Sequence, residues 1–207
     1  MGDAGQGGGD AKDGRALRAA KNHEAIVRAV YELVRETHET PSVEAVAARA
    51  GVGTRTVFRQ FDDLEGLYRS MSERVQEEVL GLLVVAPLTG RLDDDLPALV
   101  ARRARIFEHV LPFRRAVRHA RHRSPFLLEQ DAVQARLFRA ALATVLEPHL
   151  RRDAEHAEGT LEALDALLSF DVWDRMRGLR RHSAKRAEQI LAHAALVLAR
   201  EGARSAR

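Results

Sequence analysis

The sequence predicts an all-α protein of about nine helices. Two observations lead to this prediction. Apolar residues recur every three or four positions over most of the chain, and glycine, proline or polar clusters interrupt that pattern at short intervals. A third observation excludes sheets, because no segment alternates apolar and polar residues as a half-buried strand does. No sequence repeat relates one helical segment to another.

Composition and charge limit the classes of protein that the chain can represent. Its 207 residues suffice for one large or two small domains. There is no cysteine, which excludes disulfides, thiolate metal sites and cysteine nucleophiles. No apolar run approaches the roughly 20 residues of a membrane span, and the first ten residues do not resemble a signal peptide. We therefore expect a cytoplasmic protein, and the formal charge of +3 neither requires nor forbids a nucleic-acid partner.

The N-terminal segment is glycine-rich, and residues 1–13 are predicted to be disordered. Arg15, Arg18 and Lys21 follow, either as a basic arm that contacts DNA or as a solvated helix end. A first helix is expected from about Lys21 to Thr37. Its inward face carries the apolar residues Ile26, Val27, Val30, Leu33 and Val34.

Residues 42–61 are typical of a helix-turn-helix, in which two short helices are joined by a tight turn. Ser42 is placed to cap the first helix, and Gly51 can adopt the left-handed conformation that ends it. Thr54 is placed to cap the second helix. That second helix is expected to bury Val57, Phe58 and Phe61 and to expose Arg55, Thr56, Arg59 and Gln60.

The remaining helices are predicted from caps and apolar spacing. Asp62 or Asp63 would cap a fourth helix reaching Leu83, with Glu65 in a capping box, and a loop over 87–94 would follow. Asp95 would cap the fifth helix, Pro112 would start a shorter sixth, and Ser124-Pro125 would open a long seventh. After a polar loop over 151–159, the eighth helix spans 161–176, and Ser183 caps the ninth.

Several motifs at coupled spacings resemble the DNA-binding domain of the TetR family of bacterial transcriptional regulators, over roughly residues 20–79. They are Ile26-Val27 with Ala29-Val30, Val46-Ala47, Ala50-Gly51-Val52, Thr56-Val57-Phe58, Phe61 and Glu65-Gly66-Leu67. Two positions depart from the family pattern. Phe58 stands where the family has tyrosine, and Leu64 stands where it has lysine, so two phosphate contacts of the family are in doubt.

The resemblance implies a three-helix DNA-binding domain and a six-helix domain for effector binding and dimerisation. The predicted organisation is a disordered tail over 1–19, the DNA-binding domain over 20–79 and the regulatory domain over 80–207. It further implies a ligand-responsive repressor that binds a palindromic operator as a homodimer, without a cofactor. An activator or a ligand-independent regulator of the same fold is the alternative. A helical-bundle enzyme is disfavoured, because the sequence holds no nucleophile motif, phosphate loop or metal-ligand constellation.

Residue roles follow from the resemblance and from the chemistry of the side chains. The predicted DNA-binding residues are Ser42, Thr54, Arg55, Thr56, Phe58, Arg59 and Gln60, with Arg55 able to bind guanine bidentately. The predicted dimer interface is Leu161, Leu164, Leu168, Ile190, Ala194 and Val197; the alternative for this stripe is an intramolecular core. The predicted apolar effector pocket is Phe107, Val110, Phe113, Val117, Phe138, Phe170, Trp173 and Met176; here too the alternative is plain core.

A basic stretch from Arg102 to Arg123 contains eight arginines and one acid, Glu108. One interpretation is that some of these arginines bind an anionic effector, because guanidinium groups pair bidentately with oxyanions. The preferred interpretation is a solvated basic face that pairs with acids elsewhere. His119 and His122 are spaced to share a metal, but no third ligand is identifiable, so no metal site is predicted.

Overall fold

The structure, a computed structural model, describes residues 8–61, 64–83, 87–150 and 154–204. Within these ranges the chain forms nine α-helices, a short 3-10 turn at Gly81–Leu83 and no strand, which confirms the all-α class. The helices are α1 (Gly8–Thr37), α2 (Val43–Ala50), α3 (Thr54–Phe61), α4 (Leu64–Leu80), α5 (Leu92–Ala116), α6 (Pro125–Leu146), α7 (Ala154–Leu167), α8 (Phe170–Arg177) and α9 (Ala184–Arg204). No helix in the described ranges is both long and apolar enough to span a bilayer.

The chain divides into two compact units. The first comprises residues 1–74 and 112–126, and the second comprises residues 75–111 and 127–207. The predicted boundary at 79/80 lies near the observed one at 74/75. The assignment of residues 112–126 to the first unit was not predicted. Helices α4, α5 and α6 each contribute residues to both units.

In the first unit, α1 packs against α2, and α2 against α3. The apolar face of α1 is buried as predicted, with Ile26, Val30 and Val34 each less than 5 % exposed. Val46 and Ala47 supply the buried face of α2. These contacts hold α2 against α1 and α3 against α2.

Helix α1 begins at Gly8 rather than near Lys21, so the prediction of disorder over 1–19 is wrong for residues 8–19. Residues 1–7 lie outside the described ranges. From Arg15 to Ala20 the side chains are exposed, and Leu17 retains 71 % of its surface. Alanine, leucine and arginine favour a helix without burial, and this propensity outweighs the glycines that suggested disorder.

The fifth and sixth predicted helices form one helix, α5, which continues through Pro112 to Ala116. Proline removes one backbone hydrogen bond and normally ends or kinks a helix, which is why a new helix was predicted there. The last turn of α5 is instead stabilised by packing, because the Phe113 ring stacks on Tyr31 with centroids 4.8 Å apart. Beyond it, residues 117–123 form turns rather than the predicted helix.

Asp95 does not cap α5, which begins three residues earlier at Leu92. Its buried carboxylate accepts hydrogen bonds from the backbone N–H groups of Thr89 and Gly90, each at 2.9 Å, and from the Thr89 hydroxyl at 3.0 Å. Asp95 therefore stabilises the loop before the helix.

The predicted eighth helix is two helices, α7 and α8, because the chain breaks at Ser169. This residue is extended, and its hydroxyl accepts a hydrogen bond from the N–H of Val172 at 3.4 Å, which caps α8. Helix α7 begins at Ala154, so residues 154–159 of the predicted polar loop are helical. The predicted cap of α9 is confirmed, since the Ser183 hydroxyl accepts from the N–H of Arg186 at 3.2 Å.

The core of the second unit lies among α5, α6, α7, α8 and α9. Its most deeply buried large side chains are Leu96, Leu142, Leu146, Leu164 and Trp173, each less than 2 % exposed. Small residues of α9, including Ala187, Ala195 and Ala199, are buried in the same cluster, which allows that helix to approach its neighbours closely.

Candidate nucleic-acid interface

Helix α2 is fixed at both ends by the residues that the sequence indicated. The Ser42 hydroxyl accepts a hydrogen bond from the N–H of Ala45 at 3.2 Å. At the other end, Gly51 adopts the left-handed conformation with φ 67° and ψ 33°, and its N–H donates to the carbonyl of Ala47. The N–H of Val52 donates to the same carbonyl at 3.1 Å, which closes the turn.

Helix α3 starts one residue earlier than its predicted cap at Thr54 implies. The Gly53 carbonyl accepts hydrogen bonds from the N–H groups of Thr56 at 2.9 Å and Val57 at 3.3 Å, so Gly53 occupies the capping position. Thr54 is the first helical residue and is exposed. Val57 is completely buried and anchors α3 in the first unit.

Two of the side chains predicted to reach DNA, Arg55 and Arg59, lie on the opposite side of α3 from Val57. A helix turns about 100° per residue, so Arg55 and Arg59 point away from Val57. Both arginines are exposed, and Thr56 is half-buried at the edge of this face. The backbone of Gln60 belongs to α3, but its side chain lies outside the described part of the chain, as does that of Phe61.

Phe58 is more exposed than the predicted buried stripe requires. It was expected both in the buried stripe of the second helix and in the DNA-binding set, yet 55 % of its surface is exposed. Because Val57 occupies the centre of the buried face, the next residue is rotated to its edge. Phe58 therefore belongs with the exposed side chains of α3 and not with the core.

Helix α3 carries positive charge without any acidic residue, whereas α1 and α2 carry residues of both signs. The helix contains two arginines and no acid. By contrast, Arg49 on α2 is held by α1, because its guanidinium forms two hydrogen bonds with Glu36, at 2.9 and 2.8 Å, and lies 3.4 Å from Glu32. The hydrogen bond from Arg49 lowers the pKa of Glu36. The exposed cations of α3 are thus better placed to meet phosphates than Arg49.

The predicted basic arm is part of α1. Arg15, Arg18 and Lys21 are exposed and follow one another at three-residue intervals, which places them on one side of the helix. The structure therefore replaces the flexible arm by a helical extension over the described residues.

The predicted effector pocket is divided between the two units. Phe113 and Val117 belong to the first unit, where Phe113 stacks on Tyr31. In the second unit, the Phe107 ring lies 5.4 Å from Phe138, 5.6 Å from Phe170 and 6.3 Å from Trp173, measured between ring centroids. Val110 is also buried in this unit, and Met176 is partly buried against its core. The four aromatic side chains of the second unit pack on one another within its core.

The basic stretch Arg102–Arg123 contains one buried cation and several exposed ones. Arg103 is 3 % exposed, and its guanidinium donates to the carbonyls of Leu168, at 3.2 Å, and Phe138. It also lies 3.7 Å from the Asp165 carboxylate and over the Phe138 ring. Burial lowers the pKa of Arg103 to about 10. Arg103 thus joins α5, α6 and α7 within the core, whereas the side chains of Arg105, Arg118 and Arg123 are exposed.

Glu108, the one acid in this stretch, does not neutralise its arginine neighbours in sequence. Its carboxylate accepts two hydrogen bonds from Arg177, at 2.7 and 2.9 Å, and one from the indole N–H of Trp173 at 2.9 Å. Two acids near the start of α5 pair outside the basic stretch, Asp93 with Arg200 and Asp94 with Arg91. His119 and His122 are exposed, and no group of three potential metal ligands converges within the described ranges.

The predicted dimer interface separates into buried and exposed halves. Leu161, Leu164 and Leu168 lie in the core of the second unit and are at most 8 % exposed, so they have little surface left for a partner. For these three residues the interpretation as an intramolecular core is correct. On α9, Ile190 and Ala194 are half-buried and Val197 is 46 % exposed, at spacings that share one helix face.

An open groove between α7 and α9 was not predicted. It is lined by Glu155, His156, Gly159, Thr160, Leu198 and Gly202, among others. The two helices approach so closely that a Cβ atom on Gly202 would lie 2.7 Å from the Thr160 hydroxyl oxygen. Glycine within a helical pattern is the sequence signal that could have indicated this close approach.

Comparisons with known proteins give the fold. No protein-family model matches the chain, and no curated protein matches it. Among solved structures, the chain is similar to the crystal structure of a transcriptional regulator from Rhodococcus sp. Rha1, with a TM-score of 0.62 and 20 % sequence identity. The similarity covers 87 % of this chain and 97 % of that one. At this identity the similarity shows a shared all-α fold and does not by itself show a shared function.

Proposed function

We propose that this chain is a DNA-binding transcriptional regulator that reads an operator with α3. The observation that carries the proposal is the helix-turn-helix itself. Helix α2 is capped by Ser42, the turn is set by Gly51, and α3 presents Arg55 and Arg59 to solvent while Val57 anchors it. An exposed basic helix held on a rigid support is the arrangement that enters a major groove. The function of the structurally similar Rhodococcus protein supports the same conclusion.

The roles of individual residues follow from their exposure. Arg55 is proposed to bind guanine bidentately at its O6 and N7 atoms, while Arg59 contacts the phosphate backbone. Ser42 and the N-terminal amides of α2 would contact a phosphate, since the hydroxyl retains a free donor while its oxygen caps the helix. The helical extension of α1 carrying Arg15, Arg18 and Lys21 would add sequence-independent contacts.

We further propose that the protein acts in the cytoplasm as a homodimeric repressor of the TetR type. One short helix reads only a few base pairs, and two copies related by twofold symmetry would read a palindrome. The exposed apolar residues of α9, such as Val197 and Leu198, support an interface on this helix. Helix α9 together with the adjacent α7–α9 groove is the proposed contact between copies.

The effector is proposed to act on the aromatic cluster of the second unit. Phe138 and Phe170 are only partly buried there, so an apolar ligand could displace them from Phe107. A ligand that binds the DNA-incompetent conformation more tightly would release the operator by shifting the population. Trp173 is the one tryptophan of the chain and contacts this cluster, so its fluorescence should change on binding.

The proposal is tested by selecting random duplex DNA with the purified full-length protein at two salt concentrations. A palindrome should be enriched, and binding should weaken steeply as salt rises, because phosphate contacts release counterions. Enrichment of a single half-site would remove the homodimer from the proposal. The absence of any enriched sequence at both salt concentrations would contradict the proposed function.

A further inference from the structure

Phe58 is an exposed aromatic side chain on the helix that carries the proposed DNA-reading arginines. Large apolar residues are usually buried, and the neighbouring Val57 is completely so, yet 55 % of Phe58 is exposed. The exposure follows from helix geometry, because the residue after the centre of the buried face is rotated by about 100°. Packing in the core therefore does not explain why an aromatic side chain stands at this position.

The position of Phe58 relative to the two arginines defines what it can contact. Arg55 lies three residues before it and is its neighbour on the helix surface. Arg59 follows it and points farther from the core. A duplex held by both arginines would therefore also meet the Phe58 ring at the edge of the same face. Tyrosine stands at this position in the TetR pattern, and phenylalanine lacks the hydroxyl that could donate to a phosphate.

We propose that Phe58 reads the 5-methyl group of a thymine in the major groove of the operator. The methyl group is the apolar feature that a base pair displays in that groove, and phenylalanine is one of the side chains that contact it. Burying the methyl group against the ring removes apolar surface from water on both partners. This inference rests on the proposed function and adds one specificity-determining residue to it.

The contact is tested on the duplex selected by the wild-type protein. Each thymine is replaced in turn by deoxyuridine, which pairs in the same way and lacks only the methyl group. Affinity should fall about fourfold at one thymine of each half-site, the fold-change expected for one buried methyl group. Phe58→Ala should bind the thymine duplex more weakly and should no longer distinguish thymine from uracil there. Phe58→Tyr, which keeps the ring, should still distinguish them.

Arg59→Ala is the matched control, because it alters the adjacent exposed residue and should leave the discrimination between thymine and uracil unchanged. Thermal melts of all variants establish that they fold, as expected for substitutions at exposed positions. Wild-type binding that is insensitive to uracil at every position, or discrimination that persists in Phe58→Ala, would overturn the inference while leaving the proposed function intact. Failure to select any duplex would overturn both.

Discussion

Two charged side chains, Asp95 and Arg103, are buried in the second unit and are held mainly by backbone groups. Asp95 accepts from the N–H groups of the loop before α5, and Arg103 donates to carbonyls of α6 and of the segment after α7. A buried polar group is costly when it loses its partners, which makes both residues sensitive to substitution. Substitution of either residue should lower the stability of the fold and leave DNA recognition unchanged.

Replacing Arg103 by methionine should destabilise the protein by about 2 kcal/mol, because two carbonyls lose their donor while the apolar volume is roughly kept. Equilibrium urea unfolding measures this difference. Arg105→Met is the matched control, since Arg105 is exposed two residues along the same helix and its replacement should change stability little. Equal losses of stability in the two variants would show that the hydrogen bonds from Arg103 to the Leu168 and Phe138 carbonyls do not stabilise the fold.

Asp95→Asn should lower the melting temperature at neutral pH, with a difference that disappears in acid. The hydrogen bonds from Thr89 lower the pKa of Asp95 below its ordinary value of 3.8. A carboxyl with a lowered folded-state pKa stabilises the fold fully above its unfolded pKa and loses that contribution as pH falls through the folded value. Melting curves of both proteins from pH 7 downward should therefore converge below 3.8. A constant difference across this range would contradict the role given to the ionised carboxylate.

Periodicity could have placed Arg103 in the core. It lies four residues after Leu99 and four before Phe107, two apolar residues that are both buried. The density of arginines around it concealed this register, because a run of cations is usually solvated. Asp95 could not be placed from sequence, since its partners belong to a loop whose conformation depends on tertiary contacts.

The turn between α2 and α3 sets the orientation of α3 relative to α2. Gly51 has φ 67°, where residues other than glycine are strained, and no atom lies within 4 Å of a Cβ built on it. Gly51→Ala should therefore cost about 1–2 kcal/mol through backbone conformation alone. Gly51→Asn should cost less, because asparagine tolerates the left-handed region.

Chemical denaturation of the two Gly51 variants, with DNA binding measured in parallel, checks this prediction. The alanine variant should lose the more stability, and its affinity for the selected duplex should fall by the larger factor. Alanine and asparagine variants of equal stability would mean that the left-handed conformation does not matter at this turn.

Gly202 allows the close approach of helix α9 to helix α7. A Cβ atom there would lie 2.7 Å from the side chain of Thr160, so Gly202→Ala should destabilise the protein although alanine favours helices. Gly159→Ala on α7 is the control, since a Cβ there meets nothing within 4 Å and should stabilise the helix by up to about 1 kcal/mol. Urea unfolding distinguishes the two. A stabilising Gly202→Ala would contradict the close approach, and Thr160→Ala should partly rescue a destabilising one.

Local signals predicted the helices whose ends carry a capping residue. Ser42 and Gly51 bound α2, and Ser183 begins α9, as their chemistry requires. Prediction failed where packing overrides a local signal, as at Pro112, where the Phe113 contact with Tyr31 extends α5. Ser169 was overlooked as a cap because the apolar spacing continues across it. Within the described part of the chain, the count of nine helices agrees with the prediction only because one predicted pair merged and another predicted helix divided.

For the whole molecule, the helix-turn-helix was predicted more accurately than the organisation of the second unit. The helix-turn-helix is local, so the caps of α2, the turn and the outward arginines could be predicted from consecutive residues. The return of residues 112–126 to the first unit depends on contacts between distant parts of the chain. The same limitation explains why Leu161, Leu164 and Leu168 were predicted at a dimer interface when they belong to the core.

We propose that the exposed face of α3 reads base pairs, and a comparison of Arg55→Ala with Arg49→Ala tests this proposal. Each substitution removes one positive charge, but Arg49 is held by Glu36 whereas Arg55 is exposed. Affinity is measured for the selected duplex and for every single base-pair substitution of one half-site. Arg55→Ala should lose about 1–3 kcal/mol and become indifferent at one position, while Arg49→Ala keeps the wild-type profile. If the Arg55→Ala profile is identical to that of the wild type, the exposed face of α3 does not read base pairs through Arg55.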